Sequence, residues 1–253
     1  MTTPIEDWVA VAELANAYYR AMYAGDDEVL RRLFDARAPV VGTAMGNHLA
    51  MSLDTFIERS VASRRTHGEA ASRIEGMQIV GDTAQATVGG RYRELWFTDT
   101  LMMVRRPEGW LIDAKTFFTD GPSPERDAGP AEDGDVAAVA AKGEAYYRAM
   151  FEGDETALKR LFTYDAPIVG TMDGDFIWDS RDAFIEETKS LVGQHGEATS
   201  RIDALQVRGD TALVTVGGRY WKRWFTDQLA MVRGDDGWMI HAKSFHAHPA
   251  EQD

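Results

Sequence analysis

From Ile5 to Ala24 the apolar residues recur at three- and four-residue steps: Ile5, Trp8, Ala12, Ala15, Tyr19 and Met22. That spacing predicts an amphipathic helix with one buried stripe. Gly25 follows, suited to the left-handed conformation that ends helices, and Asp26 can cap a short second helix running to Phe34. Residues 39–43 read as a short strand. Ser52 is placed to cap a third helix carrying Phe56, Ile57 and Ser60, with Asp54 in its first turn, where negative charge is favourable. Beyond His67-Gly-Glu69 the period changes to two. Strands are expected over residues 74–80, 83–92, 96–105 and 110–118, with turns at Gly81-Asp82, Arg93 to Leu95 and Glu108-Gly109. Helices first and a meander second describe an α+β unit, with helices packed on one face of a curved antiparallel sheet.

The whole pattern returns 128 residues later. Tyr18-Tyr-Arg-Ala-Met22 recurs as Tyr146-Tyr-Arg-Ala-Met150, His67-Gly-Glu69 as His195-Gly-Glu197, and Trp96-Phe-Thr-Asp99 as Trp224-Phe-Thr-Asp227. Stacked repeat units run at about 20–50 residues, so a period this long indicates duplicated domains. Pro, Gly and acidic residues dominate 121–134, as in an exposed linker. Domains are therefore expected over residues 1–120 and 135–253. A short tether raises effective concentration to about the millimolar range, which favours docking of the copies as an intramolecular pseudo-dimer; a further homodimer stays open.

Composition narrows the function. The chain is 44% hydrophobic and 27% charged, as globular proteins are. A net charge of −14 argues against nucleic acid and against anionic membrane surfaces as partners. Cysteine is absent, which excludes disulfides, thiolate catalysis and Cys-ligated metal. No basic, apolar leader and no membrane-length apolar run is present, so a soluble cytoplasmic protein is expected. His241, His246 and His248 lack compact ligand spacing; neither a metal nor another cofactor is expected.

Three further segments carry a family likeness: Tyr18 to Asp26 on the opening helix, Leu33-Phe34 with Ala38-Pro-Val-Val-Gly42, and Phe97-Thr-Asp-Thr-Leu101 with Gly109-Trp-Leu-Ile-Asp-Ala-Lys115. Each copy resembles the nuclear transport factor 2-like superfamily, the cone-shaped α+β-barrel fold shared with ketosteroid isomerases and SnoaL-type cyclases. It is most similar to the small bacterial domains called putative lumazine-binding. The resemblance implies two tandem domains, each with a cavity between helices and concave sheet. It does not carry lumazine over as a ligand.

Within such a cavity the polar side chains matter. Phe97, Asp99, Leu101 and Met103 alternate along one predicted strand and are kept as Phe225, Asp227, Leu229 and Met231. That face reads as the inner one, placing Asp99 and Asp227 on an apolar wall. Burial disfavours a charged carboxylate and suits it to proton transfer; the alternative is a carboxylate neutralised by a neighbour such as Arg91 or Arg219. His67 and His195 read either as proton shuttles beside Glu69 and Glu197 or as solvated loop residues. Tyr19 and Tyr147, on the helix stripe, can donate to a ligand carbonyl or sit in the core. Lys115 and Lys243 can bind an anion or pair with the aspartates. Trp96, Trp224, Trp178, His241, Met103 and Met231 complete the candidate ligand contacts, with core and interface roles as the alternative for the tryptophans.

Two functions fit. One is a cofactor-free enzyme moving a proton on an apolar metabolite, in isomerisation, cyclisation, dehydration or epoxide opening, as fused cyclases of secondary metabolism do. The other is a non-catalytic pocket that holds or sequesters a hydrophobic molecule. A buried aspartate lacking a neutralising cation would favour the enzyme.

Overall fold

The structure, a computed structural model, describes residues 3–64, 66–122 and 133–250. The chain divides into two compact units, Met1–Gly129 and Pro130–Asp253. Unit one runs α1 (Ile5–Ala24), α2 (Asp27–Leu33), β1 (Val40–Ala44), β2 (Asn47–Met51), α3 (Leu53–Ser63), β3 (Ser72–Val80), β4 (Thr83–Tyr92), β5 (Leu95–Arg106) and β6 (Gly109–Gly121). Unit two repeats this as α4 (Asp133–Glu152), α5 (Glu155–Leu161), β7 (Pro167–Met172), β8 (Asp175–Ser180), α6 (Arg181–Ser190), β9 (Ser200–Arg208), β10 (Thr211–Tyr220), β11 (Arg223–Gly234) and β12 (Gly237–Ala247). Residues 123–132, most of the expected linker, lie outside the described residues; β6 reaches Gly121 and α4 begins at Asp133.

Each unit is an α+β layer pair around one open sheet. The strand orders are β2-β1-β6-β5-β4-β3 and β8-β7-β12-β11-β10-β9. The sheets are mixed rather than wholly antiparallel, because β1 and β7 run parallel to β6 and β12. The helix–sheet crossing between these strands brings the chain back beside its own last strand. The β1–β2 and β7–β8 hairpins were not expected from sequence. In β2 the residues alternate between exposed and half-buried, so no apolar run announces it.

The caps behave as their residues dictate. Gly25 closes α1 at φ 63°, its N–H reaching the carbonyls of Ala21 and Met22. The Asp26 and Ser52 side chains accept from Val29 N and Thr55 N, each worth about 1 kcal/mol. The buried stripe of α1 differs from the expected one. Val11, Leu14, Ala15, Tyr18, Tyr19 and Met22 face inward, whereas Ile5 is 68% exposed. The stripe is therefore rotated so that Tyr18 sits at its centre, one turn before Met22.

One sheet irregularity decides which side chains face the cavity. Between β5 and β6, Met102 pairs with Ala114 and Met103 with Ile112, leaving Asp113 as an extra residue. His241 is the same extra residue between β11 and β12. A bulge of this kind reverses the alternation beyond it. Lys115 and Phe117 face inward on one side of the bulge; Ile112 and Trp110 face the core on the other.

Candidate functional site

In unit one the space between helices and sheet is a cavity of about 430 Å³. Met22 of α1, Phe56 of α3, Leu49 and Met51 of β2, and Phe97 and Phe117 of the sheet form apolar walls. Its size falls within the about 300–1,000 Å³ of small-molecule sites. Asp99 and Lys115 lie on adjacent strands and carry the polar chemistry of the wall.

Asp99 and Lys115 are both buried, and Lys115 Nζ lies 2.8 Å from Asp99 Oδ1. The approach makes a buried ion pair. Behind it, the wholly buried Tyr18 donates to Asp99 Oδ2 at 2.6 Å. Burial, reinforced by the Asp99 charge, raises the Tyr18 phenol well above its ordinary value, so it remains a donor. Burial lowers the Lys115 ammonium, with Asp99 opposing the shift. The ammonium also lies 4.5 Å from the Phe117 ring centroid and 5.2 Å from that of Phe56, close enough for cation–π attraction.

Unit two repeats the cluster. Tyr146 donates to Asp227 Oδ2 at 2.7 Å, and Lys243 stands 3.3 Å from Asp227 Oδ1. Its cavity, however, is only about 80 Å³. Met172, Leu191 and Trp221 enter the lining at the positions of Ala44, Ser63 and Arg93. A separate groove of about 430 Å³ runs between α4 and β9, over Tyr147 and Arg201.

Several expected site residues belong elsewhere. The cations at Asp99 and Asp227 are Lys115 and Lys243, not Arg91 and Arg219. Tyr19 OH donates to the Arg91 carbonyl at 3.0 Å and accepts from Ala71 N at 3.1 Å, so its hydroxyl is committed to backbone; Tyr147 does the same with Arg219 and Thr199. The tyrosine at the carboxylate is the preceding one, which the helix stripe taken from Ile5 hid. His67 and His195 are buried, with neither solvated loop character nor a place in the cavity lining. His67 Nδ1 accepts from Arg93 N at 2.9 Å while its ring stacks on Tyr92 at 4.4 Å. His195 does likewise with Trp221 N and Tyr220. Burial, and for His67 the Arg93 charge, lowers both imidazoles, so they are neutral anchors for the β4–β5 and β10–β11 turns.

Trp96 and Trp224 are also outside the lining, against the guanidinium groups of Arg73 and Arg201. Met103 and Met231 are core residues with no exposure. In β8 the lining residues are Ile177 and Asp179, so the alternation turns Trp178 to the other face. His241 is the bulge residue, and its counterpart Asp113 pairs with the buried Arg106 away from the cavity. Two cavity residues gave no signal in sequence, Arg59 and Arg93, both exposed at its mouth. Among the described residues no cluster is arranged to hold a metal ion, and no helix is long and apolar enough to cross a membrane.

A family model described as putative lumazine-binding matches residues 6–118 and again 134–246. The chain belongs to this family, in two tandem copies. Solved structures are similar to single copies. One is an NTF-2-like protein of unknown function from Silicibacter pomeroyi, 30% identical, covering 47% of this chain and 100% of its own, with a TM-score of 0.45. An NTF2-like protein of unknown function from Shewanella baltica is 21% identical, covering 47% of this chain and 98% of its own, at 0.43. A ketosteroid isomerase-like protein from Erwinia carotovora atroseptica is 15% identical, covering 46% and 98%, at 0.38. No curated protein matches the chain.

Proposed function

We propose that unit one is a binding domain for an apolar small molecule, seated against the Asp99–Lys115 pair. The observation that carries this reading is the cavity of about 430 Å³ with aromatic and methionine walls and one buried charge pair, Asp99 with Lys115, set into them. A ligand hydroxyl or N–H reaching this pair would meet a buried carboxylate and ammonium in an otherwise apolar wall. Aspartate with a lysine neighbour is neutralised in the resting state, which favours binding over catalysis. Native mass spectrometry of the intact protein purified from its own host tests the reading. A co-purifying apolar molecule is expected, one bound mass per chain; an empty protein that takes up nothing from a metabolite extract would refute it.

A second reading is proton transfer on the bound molecule, with Asp99 as base and Lys115 as its counter-cation. The place of the Asp99 carboxylate in the cavity lining and the lowered Lys115 ammonium beside it favour it. Asp99 would take a proton from one carbon of the ligand and return it to another, leaving the enzyme unchanged. Solvent deuterium appearing in the identified ligand with the native protein, and not with Asp99→Asn, is the expected result.

A further inference from the structure

The two cavity linings carry opposite net charge. The lining of unit one holds three cations, Arg59, Arg93 and Lys115, against the single carboxylate of Asp99. The lining of unit two holds three carboxylates, Asp179, Glu187 and Asp227, against Lys243. Met51 and Arg59 of the first correspond to Asp179 and Glu187 of the second. Arg59 and Arg93 stand exposed at the mouth, without an ion-pair partner among the described residues, in a chain whose net charge is −14. A surface that acidic repels anions everywhere except where cations are grouped.

From this contrast we infer that unit one selects an amphipathic anion: an aromatic or otherwise apolar body within the cavity, and a carboxylate, sulfonate or similar group held at the mouth by Arg59 and Arg93. The inference rests on the pocket reading above and gives its ligand class. Guanidinium groups suit such oxyanions because their N–H donors match the spacing of two oxygens. Arg93 is held in place from behind, since its own backbone N–H is bound by His67 Nδ1. Unit two cannot share the selectivity. Its mouth is acidic, Trp221 stands where Arg93 does, and burial next to Asp179 raises the Glu187 carboxyl.

A matched pair of fluorescent probes tests this on the full chain. 1-Anilinonaphthalene-8-sulfonate and N-phenyl-1-naphthylamine share one aromatic skeleton and differ by the sulfonate. The native protein is expected to bind the anionic probe about tenfold more tightly than the neutral one. In Arg59→Ala/Arg93→Ala that preference should fall to within about twofold, chiefly through loss of affinity for the anionic probe; both positions are exposed, so the fold should persist. Ala44→Met, which installs the residue of unit two, should weaken both probes. Equal affinity for the two probes, with both weakened by Ala44→Met, would overturn the anion selectivity and leave the pocket standing. Binding that ignores Ala44→Met, or no binding at all, would remove the pocket reading as well.

Discussion

Tyr18 and Asp99, 81 residues apart in the chain, are joined by a 2.6 Å hydrogen bond from phenol to carboxylate, and Tyr146 and Asp227 repeat it at 2.7 Å. The bond ties the first helix to a central strand in each unit, and it orients the carboxylate whose other oxygen meets Lys115 or Lys243. Tyr18→Phe removes the donor but keeps the ring. It should destabilise unit one by about 1–3 kcal/mol, because the Asp99 oxygen is left buried without its partner. Urea denaturation followed by tryptophan fluorescence measures this, and an unchanged midpoint would show that the bond contributes nothing.

The ion pair makes a sharper prediction. Lys115→Met leaves Asp99 charged and unneutralised in an apolar wall, a loss of about 3–5 kcal/mol. Asp99→Asn/Lys115→Met removes both charges, keeps an amide oxygen to accept from Tyr18, and should cost less than the single change. If the double variant is the less stable of the two, the pair is a net stabiliser rather than a buried charge that must be matched.

The two buried histidines should each cost stability on mild acidification. His67 and His195 are held below the ordinary 6.5 in the folded chain, so between the folded and unfolded values the unfolded state binds more protons. Their contribution is whole above about pH 6.5 and is lost as pH falls through the lower folded value. The Asp113 carboxyl, which burial raises to about 7, acts in the opposite direction over the same range, so the histidine share is read as a difference. Between about pH 7.5 and 5.5 the native protein should lose more melting temperature, or gain less, than His67→Asn/His195→Asn, in which the amide oxygen can replace Nδ1 as acceptor.

Gly90 lies against the Tyr19 ring, and a Cβ there would overlap it; Gly76, also in the sheet, has nothing near. Gly90→Ala should therefore cost about 1–3 kcal/mol through overpacking, while Gly76→Ala stays within about 0.5 kcal/mol of native. Thermal unfolding of the two variants side by side checks it. The same contrast is expected at Gly218, which faces Tyr147.

Much of the fold was legible because its signals are local. The bounds of α1, the Ser52 cap and the Asp26 cap each rest on residues within a few positions of one another. The inner face of β5 was legible too, since it alternates without interruption at Asp99, Leu101 and Met103. What sequence hid was set by distant contacts. The bulges at Asp113 and His241 break the period of two without any composition change, so His241 read as a candidate ligand contact. Tyr18 and Tyr19 are adjacent, and only packing against Asp99 on one side and the Arg91 carbonyl on the other assigns their different roles. The mouth cations Arg59 and Arg93 come from a helix and a turn whose approach is a tertiary fact.

That turn has a consequence for how such a protein can change its ligand. Arg93 and Glu94 form a two-residue connection with φ of 51° and 63°, and Trp221 and Lys222 form its counterpart at 47° and 59°. The backbone tolerates arginine and tryptophan alike, because the histidine behind it fixes the loop through the main chain rather than through the side chain. Under the proposed reading, ligand preference is set at a position whose identity the ladder of strand hydrogen bonds does not read. After duplication, one copy was free to exchange that residue, and with it the character of its opening, while the scaffold stayed intact.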